Sequence, residues 1–215
     1  MKTLSEDLLK WWKINQRQFP WRVERDSYKL LIAEILLHRT RAESVAPVYL
    51  QFVKKFPTIE KLSESDPREV KRALHTLGLR WRVKALLEAA AIIQRDLSGT
   101  IPMDKELLLT LPGIGDYIAS AIRVFSGGFD DPLIDTNTVR IASRIYKIRV
   151  NDSTRKGVNI RSLYNLLRNG TEAAKFGFAL IDLGATTCLS IGPLCRTCPI
   201  AKYCKTGQGN TKIRI

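Results

Sequence analysis

Apolar residues recur at three- and four-residue spacings along nearly the whole chain, and few β-branched runs alternate strictly with polar positions. That pattern predicts an all-α fold of about ten helices. Residues 30–37, LLIAEILL, are apolar almost all round and predict a central buried helix, which makes Glu34 an anomaly. A second such block, Phe176–Leu183, carries Asp182 in a similar setting. Asp66-Pro67-Arg68-Glu69 combines an N-cap residue, a proline at the first helical position and a glutamate able to reach back. It opens a helix running to about Leu77, where Gly78 stops it. Further on, LLLTL and YIASAIRVF flank a short glycine-containing turn, and TVRIASRIY follows Asp135. No internal repeat, low-complexity tract or long linker interrupts these segments.

Composition narrows the class. Of 215 residues 45% are hydrophobic, enough to offset the entropy of folding, so a disordered chain is excluded. Lys and Arg number 35 against 21 Asp and Glu, a net charge of +14 that fits a phosphate-bearing partner. The longest apolar stretch, YKLLIAEILL, has ten residues and contains Lys29 and Glu34, too short and too charged to span a membrane. The opening MKTLSEDLLKWWKI lacks the plan of a secretory leader, so an intracellular protein, cytoplasmic or at the nucleoid, is expected; a monomer is expected as well. All four cysteines fall in the last 28 residues, which is not how a disulfide framework is spread, and they read as metal ligands.

Cys188, Cys195, Cys198 and Cys204 give the spacing C-x6-C-x2-C-x5-C. Four thiolates suit zinc or a [4Fe–4S] cluster. Zinc ribbons pair two C-x2-C knuckles and only one is present, so the spacing leans towards iron–sulfur, serving as a structural staple rather than a redox centre. In Leu111-Pro112-Gly113-Ile114-Gly115-Asp116-Tyr117, Gly113 and Gly115 allow a tight turn whose exposed N–H groups face an anion such as a DNA phosphate; an ordinary interhelical turn is the alternative. Asp135 stands where an N-cap is expected. Held at a helix N-terminus, its carboxylate would also oppose positive charge developing on a bound nucleotide.

Together these residues resemble the endonuclease III superfamily of helix-hairpin-helix DNA glycosylases. LPGIGDYIA is similar to its hairpin, LIDTNTVRIASRI to its Gly/Pro-Asp element, and the cysteines to its C-terminal cluster; the likeness runs from Trp11 to Cys204. It implies a two-lobed fold with a [4Fe–4S] loop. Residues 28–134 would form a six-helix lobe with the hairpin, and residues 1–27 plus 135–215 a second lobe with the cluster, a ligand cleft lying between them. It also implies base excision from double-stranded DNA carrying a mismatched base. Strand-cutting members carry a lysine where this chain has Tyr117, and tyrosine forms no imine, so a monofunctional glycosylase using water is expected; the alternative for Tyr117 is a packing aromatic. Tyr117 with WWKINQRQFPWR and AEILLHRT resembles the archaeal-type enzymes that remove T or U opposite G.

Adenine glycosylases, which act on A opposite G or 8-oxoguanine, resemble the chain as well but usually place serine at that position and add a further domain, whereas this sequence stops 11 residues after Cys204. A bifunctional lyase is the other rival, and Asp135 argues against a non-catalytic binding protein. Glu34 matches the leaving-group acid of the adenine enzymes, or else partners a basic residue. His38 stands where relatives commonly have glutamine. Arg39, Arg41, Arg80, Arg82 and Lys84 are expected to contact phosphates, and Leu79 or Arg39 to wedge into the gap left by the flipped base. The loop LSIGPL lacks the basic residues that touch DNA in relatives, leaving Arg196, Lys202 and Lys205 as candidates.

Overall fold

The computed structural model describes residues 2–78, 80–148 and 158–211. Every regular element among them is helical, with twelve α-helices joined by short 3-10 turns. The chain divides into two compact units, Gln18–Phe129 and Met1–Arg17 with Asp130–Ile215.

The Gln18–Phe129 unit contains α2 (Ser27–Leu37), α3 (Ala42–Lys55), α4 (Ile59–Ser63), α5 (Pro67–Ala73), α6 (Arg80–Asp96), α7 (Lys105–Thr110) and α8 (Asp116–Gly127). Asp26 caps α2 by accepting from the backbone N–H groups of Tyr28 and Lys29, and all residues from Leu30 to Leu36 are buried. Because α2 is apolar on every face it serves as the axis of the unit, packing against α3, α6 and α8. Asp66 and Pro67 start α5 as their spacing predicts. The α-helix stops at Ala73, however, and residues 75–77 form a 3-10 turn closed by Gly78 at φ 69°. The unit starts at 18 rather than 28 for a packing reason. Trp21 is buried, stacks on Phe19 at 5.0 Å and meets the edge of Tyr49 at 5.5 Å, so the segment before α2 belongs to this core.

The other unit contains α1 (Leu4–Asn15), α9 (Thr136–Tyr146), α10 (Val158–Arg168), α11 (Ala173–Thr186) and α12 (Lys205–Thr211). Thr3 and Glu6 form a reciprocal capping box on α1. The buried Asp182 of α11 is explained by α1: its Oδ2 accepts from Trp12 Nε1 at 2.9 Å and from the Arg17 backbone N–H at 3.2 Å, while Trp12 stacks on Phe178. Nearby, the Arg168 guanidinium pairs with Asp130 through both nitrogens and both carboxylate oxygens, fixing the end of α10 on the segment that enters this unit. Among the described residues no helix is long and apolar enough to cross a membrane.

Candidate functional site

Asp135 caps α9, with Oδ1 accepting from Thr138 N at 2.7 Å and Oδ2 from Asn137 Nδ2 at 2.7 Å. Asn137 is held in turn. Its Oδ1 accepts from Arg140 Nη2 at 2.7 Å, and Arg140 also donates to the Gly184 carbonyl at 2.8 Å and the Cys188 carbonyl at 2.9 Å. One face of α11 lets this turn approach closely. A Cβ on Gly184 would lie 2.6 Å from Asn137 Cβ, and one on Gly177, two turns earlier, 2.2 Å from Leu133 Cδ1. The N-cap role and a fixed carboxylate are therefore the same geometry. Asn137, Arg140 and Gly184 were not singled out from the sequence; the only signal was the i, i+3 spacing of Asn137 and Arg140 on one helix face.

The hairpin lies between α7 and α8. Gly113 is left-handed at φ 79°, and a Cβ there would meet Ala85 at 3.0 Å. Gly115 differs: at φ −97° any residue fits, and nothing lies within 4 Å of the Cβ it lacks. The turn therefore needs Gly113 for its backbone, whereas Gly115 is the N-cap of α8 and leaves open space beside its backbone. Lys105 Nζ, 3.1 Å from Asp116 and 2.8 Å from Ser120 Oγ, offsets the one acidic charge at the head of α8. Tyr117 is partly buried and packs on the core of this unit, and Glu34 is only 6% exposed on α2.

His38 and Arg39 are exposed at the C-terminal end of α2, and Arg39 holds φ 60°, a backbone conformation unusual for a non-glycine residue. Arg82 corrects the sequence reading. It is fully buried and donates to the Leu36 carbonyl at 2.7 Å and Thr40 Oγ1 at 3.3 Å, so it braces this turn from within and cannot reach a phosphate. Burial, with Arg39 adding like charge, pushes the Arg82 guanidinium down to about 10. Partial burial, together with Arg82 and Arg39, also holds the His38 imidazole below its ordinary value of 6.5. Lys84 is exposed and pairs with Glu88. Leu79 and the Arg80 side chain lie outside the described residues.

The four cysteines line one apolar cavity of about 30 Å³, walled by Ile141, Leu183, Leu194 and Ile200. Arg144 Nη1 lies 3.2 Å from Cys188 Sγ, and the Gly207 N–H points at Cys204 Sγ at 3.3 Å. Burial pushes the Cys198 thiol up to about 11, the other three sulfurs adding to the shift. Among the described residues no three His, Cys, Asp or Glu side chains converge closely enough to hold a single metal ion. The donor set of four sulfurs around an apolar hollow, with N–H groups aimed at two of them, fits a bulkier sulfur-ligated group. Arg196, Lys202 and Lys205 are all exposed, and Lys202 also pairs with Asp7 at 2.7 Å.

A glycine hairpin, a capped aspartate and a C-terminal cysteine cavity in one helical chain define a class. The chain belongs to the HhH-GPD superfamily of base excision DNA repair proteins, whose family model matches residues 32–162. It is 31% identical over 211 residues to a thymine-DNA glycosylase of Aeropyrum pernix, covering 95% of this chain and 94% of that one. It is 30% identical to a thymine/uracil-DNA glycosylase of Pyrobaculum aerophilum, covering 90% and 86%. An adenine DNA glycosylase of Mycolicibacterium smegmatis is 34% identical over 93% of this chain and 68% of its own length. A solved thermostable thymine-DNA glycosylase superposes with a TM-score of 0.88 at 29% identity over 95% of both chains. A trapped endonuclease III–DNA intermediate shares the fold, with a TM-score of 0.83 at 21% identity over 99% of this chain and 100% of that one. The protein is thus a DNA N-glycosylase of base excision repair.

Proposed function

We propose that this glycosylase is monofunctional and removes thymine or uracil mispaired with guanine, acting as a monomer on double-stranded DNA. The observation that carries the chemistry is the Asp135 carboxylate, held by hydrogen bonds to both oxygens at the head of α9. As the N1–C1′ bond breaks, its electron pair leaves with the base and positive charge develops on the sugar. A fixed negative charge stabilises that state without reorganising. Water then adds to C1′ and loses a proton, leaving an abasic site. Glu34, nearly buried, would donate a proton or a hydrogen bond to the departing base. Tyr117 supplies no amine, so the strand is not cut. The base choice is supported by the two archaeal thymine glycosylases matched over most of both chains.

In this reading Gly113 and Gly115 present backbone N–H groups to a phosphate, His38 and Arg39 meet the duplex at the end of α2, Leu79 or Arg39 wedges into the gap left by the flipped base, and Arg80 contacts phosphate. A G·T or G·U wobble lowers the cost of flipping and supplies part of the selectivity. Cys188, Cys195, Cys198 and Cys204 would hold a [4Fe–4S] cluster, which when bound supplies coordinate cross-links that staple the end of α11 to the segment before α12. The adenine relative keeps a second reading in play, A opposite G or 8-oxoguanine. Single-turnover excision from G·T, G·U, A·G and A·8-oxoguanine duplexes, with and without alkali, separates them. Loss of T or U with breaks only after alkali supports the proposal. Loss of adenine, or breaks without alkali, overturns it.

A further inference from the structure

Arg144 is the residue of α9 whose side chain reaches a cysteine sulfur. Its Nη1 donates to Cys188 Sγ at 3.2 Å and to the Leu189 carbonyl at 2.6 Å, and its Nη2 to the Ser190 carbonyl at 3.0 Å. The backbone carbonyl of the same residue accepts from Thr206 Oγ1 at 2.8 Å, two residues beyond Cys204. One arginine thus ties the segments that follow the first and the last cysteine to α9. Arg140, one turn earlier, is committed to Asn137 and to the Gly184 and Cys188 carbonyls, so the two arginines divide the work: one serves the aspartate turn, the other the sulfur.

The chemistry of the loop makes this contact consequential. Residues 187–194 carry no charge, and Ile191 at its tip is 89% exposed, so nothing in the loop itself compensates a negatively charged sulfur. The Leu189 and Ser190 carbonyls lie outside any regular element and obtain their partners from Arg144. A guanidinium stays charged in any ordinary buffer, and its fork suits several acceptors at once, which an ammonium cannot match. Hydrogen bonds to ligating sulfurs favour the more electron-rich state of an iron–sulfur cluster, and groups around the ligands govern how firmly the metal is held.

We propose that Arg144 is a positioning residue for the metal centre, which by donating to the Cys188 sulfur and bracing residues 189–190 raises the reduction potential of the cluster and slows its loss. This rests on the [4Fe–4S] reading above. The test uses the loaded full-length protein. Iron and acid-labile sulfide are measured first in the wild type, followed by the midpoint potential by voltammetry and the decay of the cluster absorption in air for wild type, Arg144→Met and Arg144→Lys. Arg144→Met should shift the midpoint to more negative potential and fade about tenfold faster. Arg144→Lys, which keeps the charge but cannot bridge the sulfur and both carbonyls, should lie between wild type and Arg144→Met in potential and fade nearly as fast as Arg144→Met. If Arg144→Met accumulates no cluster, the lysine variant carries the comparison. A wild-type potential and lifetime in the variants that load would overturn the role of Arg144 alone. Wild-type protein without iron and sulfide would overturn the cluster reading and this inference together.

Discussion

Asp135→Asn separates the capping of α9 from the catalytic duty proposed for the same side chain. As an N-cap asparagine is about as good as aspartate, and the remaining oxygen keeps the 2.7 Å bond from Thr138 N. The other position becomes an NH2 facing Asn137 Nδ2, donor against donor at what was a 2.7 Å contact. Asn137 then turns away or loses Arg140, at a cost of about 1 kcal/mol, or about 2–4 °C in melting temperature for a chain of this size. The catalytic cost is larger. Removing a preorganised group that stabilises transition-state charge costs about 3–4 kcal/mol, and a unit charge about 4 Å from a cationic centre at an effective dielectric of about 20 gives the same size. The single-turnover rate on a G·U duplex should fall on the order of 10²–10³-fold while the protein still melts within a few degrees of wild type. A rate within about fivefold of wild type would refute the assignment, since less than about 1 kcal/mol would then rest on the carboxylate.

The two hairpin glycines should respond differently. Gly113→Ala forces a left-handed alanine against Ala85 and should cost about 1–2 kcal/mol of stability, whereas Gly115→Ala, whose lost N-cap preference is offset by the reduced entropy of the unfolded chain, should cost less than about 0.5 kcal/mol and weaken binding in a duplex titration; equal behaviour in both assays would contradict the division of roles. His38 gives a pH test. Its folded-state value lies below the ordinary 6.5 because of partial burial and the Arg82 and Arg39 charges, so the unfolded chain binds the proton more readily and stability falls as pH drops from 6.5 towards the folded-state value, with no effect at pH well above 6.5. His38→Gln should lose less melting temperature than wild type between neutral and mildly acidic pH, and parallel losses would remove His38 as the cause.

Much of the fold was legible because its determinants are local. The all-round apolar run of residues 30–37, the Asp66 and Asp135 caps, and the positive-φ glycines at 78 and 113 act within a helical turn or two, so their spacing carries the information. The cysteine spacing likewise announces one site, since residues so close in the chain have little freedom to part. Within a turn, tertiary packing still had its say: Gly113 is needed for its backbone and Gly115 is not, although the sequence treats them alike. What only the tertiary structure decided are the partners of long side chains. Nothing in the run RWRVK tells that Arg82 turns inward to the Leu36 carbonyl 46 residues away while Lys84 faces solvent. Nor does the sequence tell that the buried Asp182 answers Trp12 across 170 residues, or that Arg140 joins the aspartate turn to the first cysteine. A periodic pattern specifies which face of a helix is buried; which polar atom meets which across the core follows from how the helices pack.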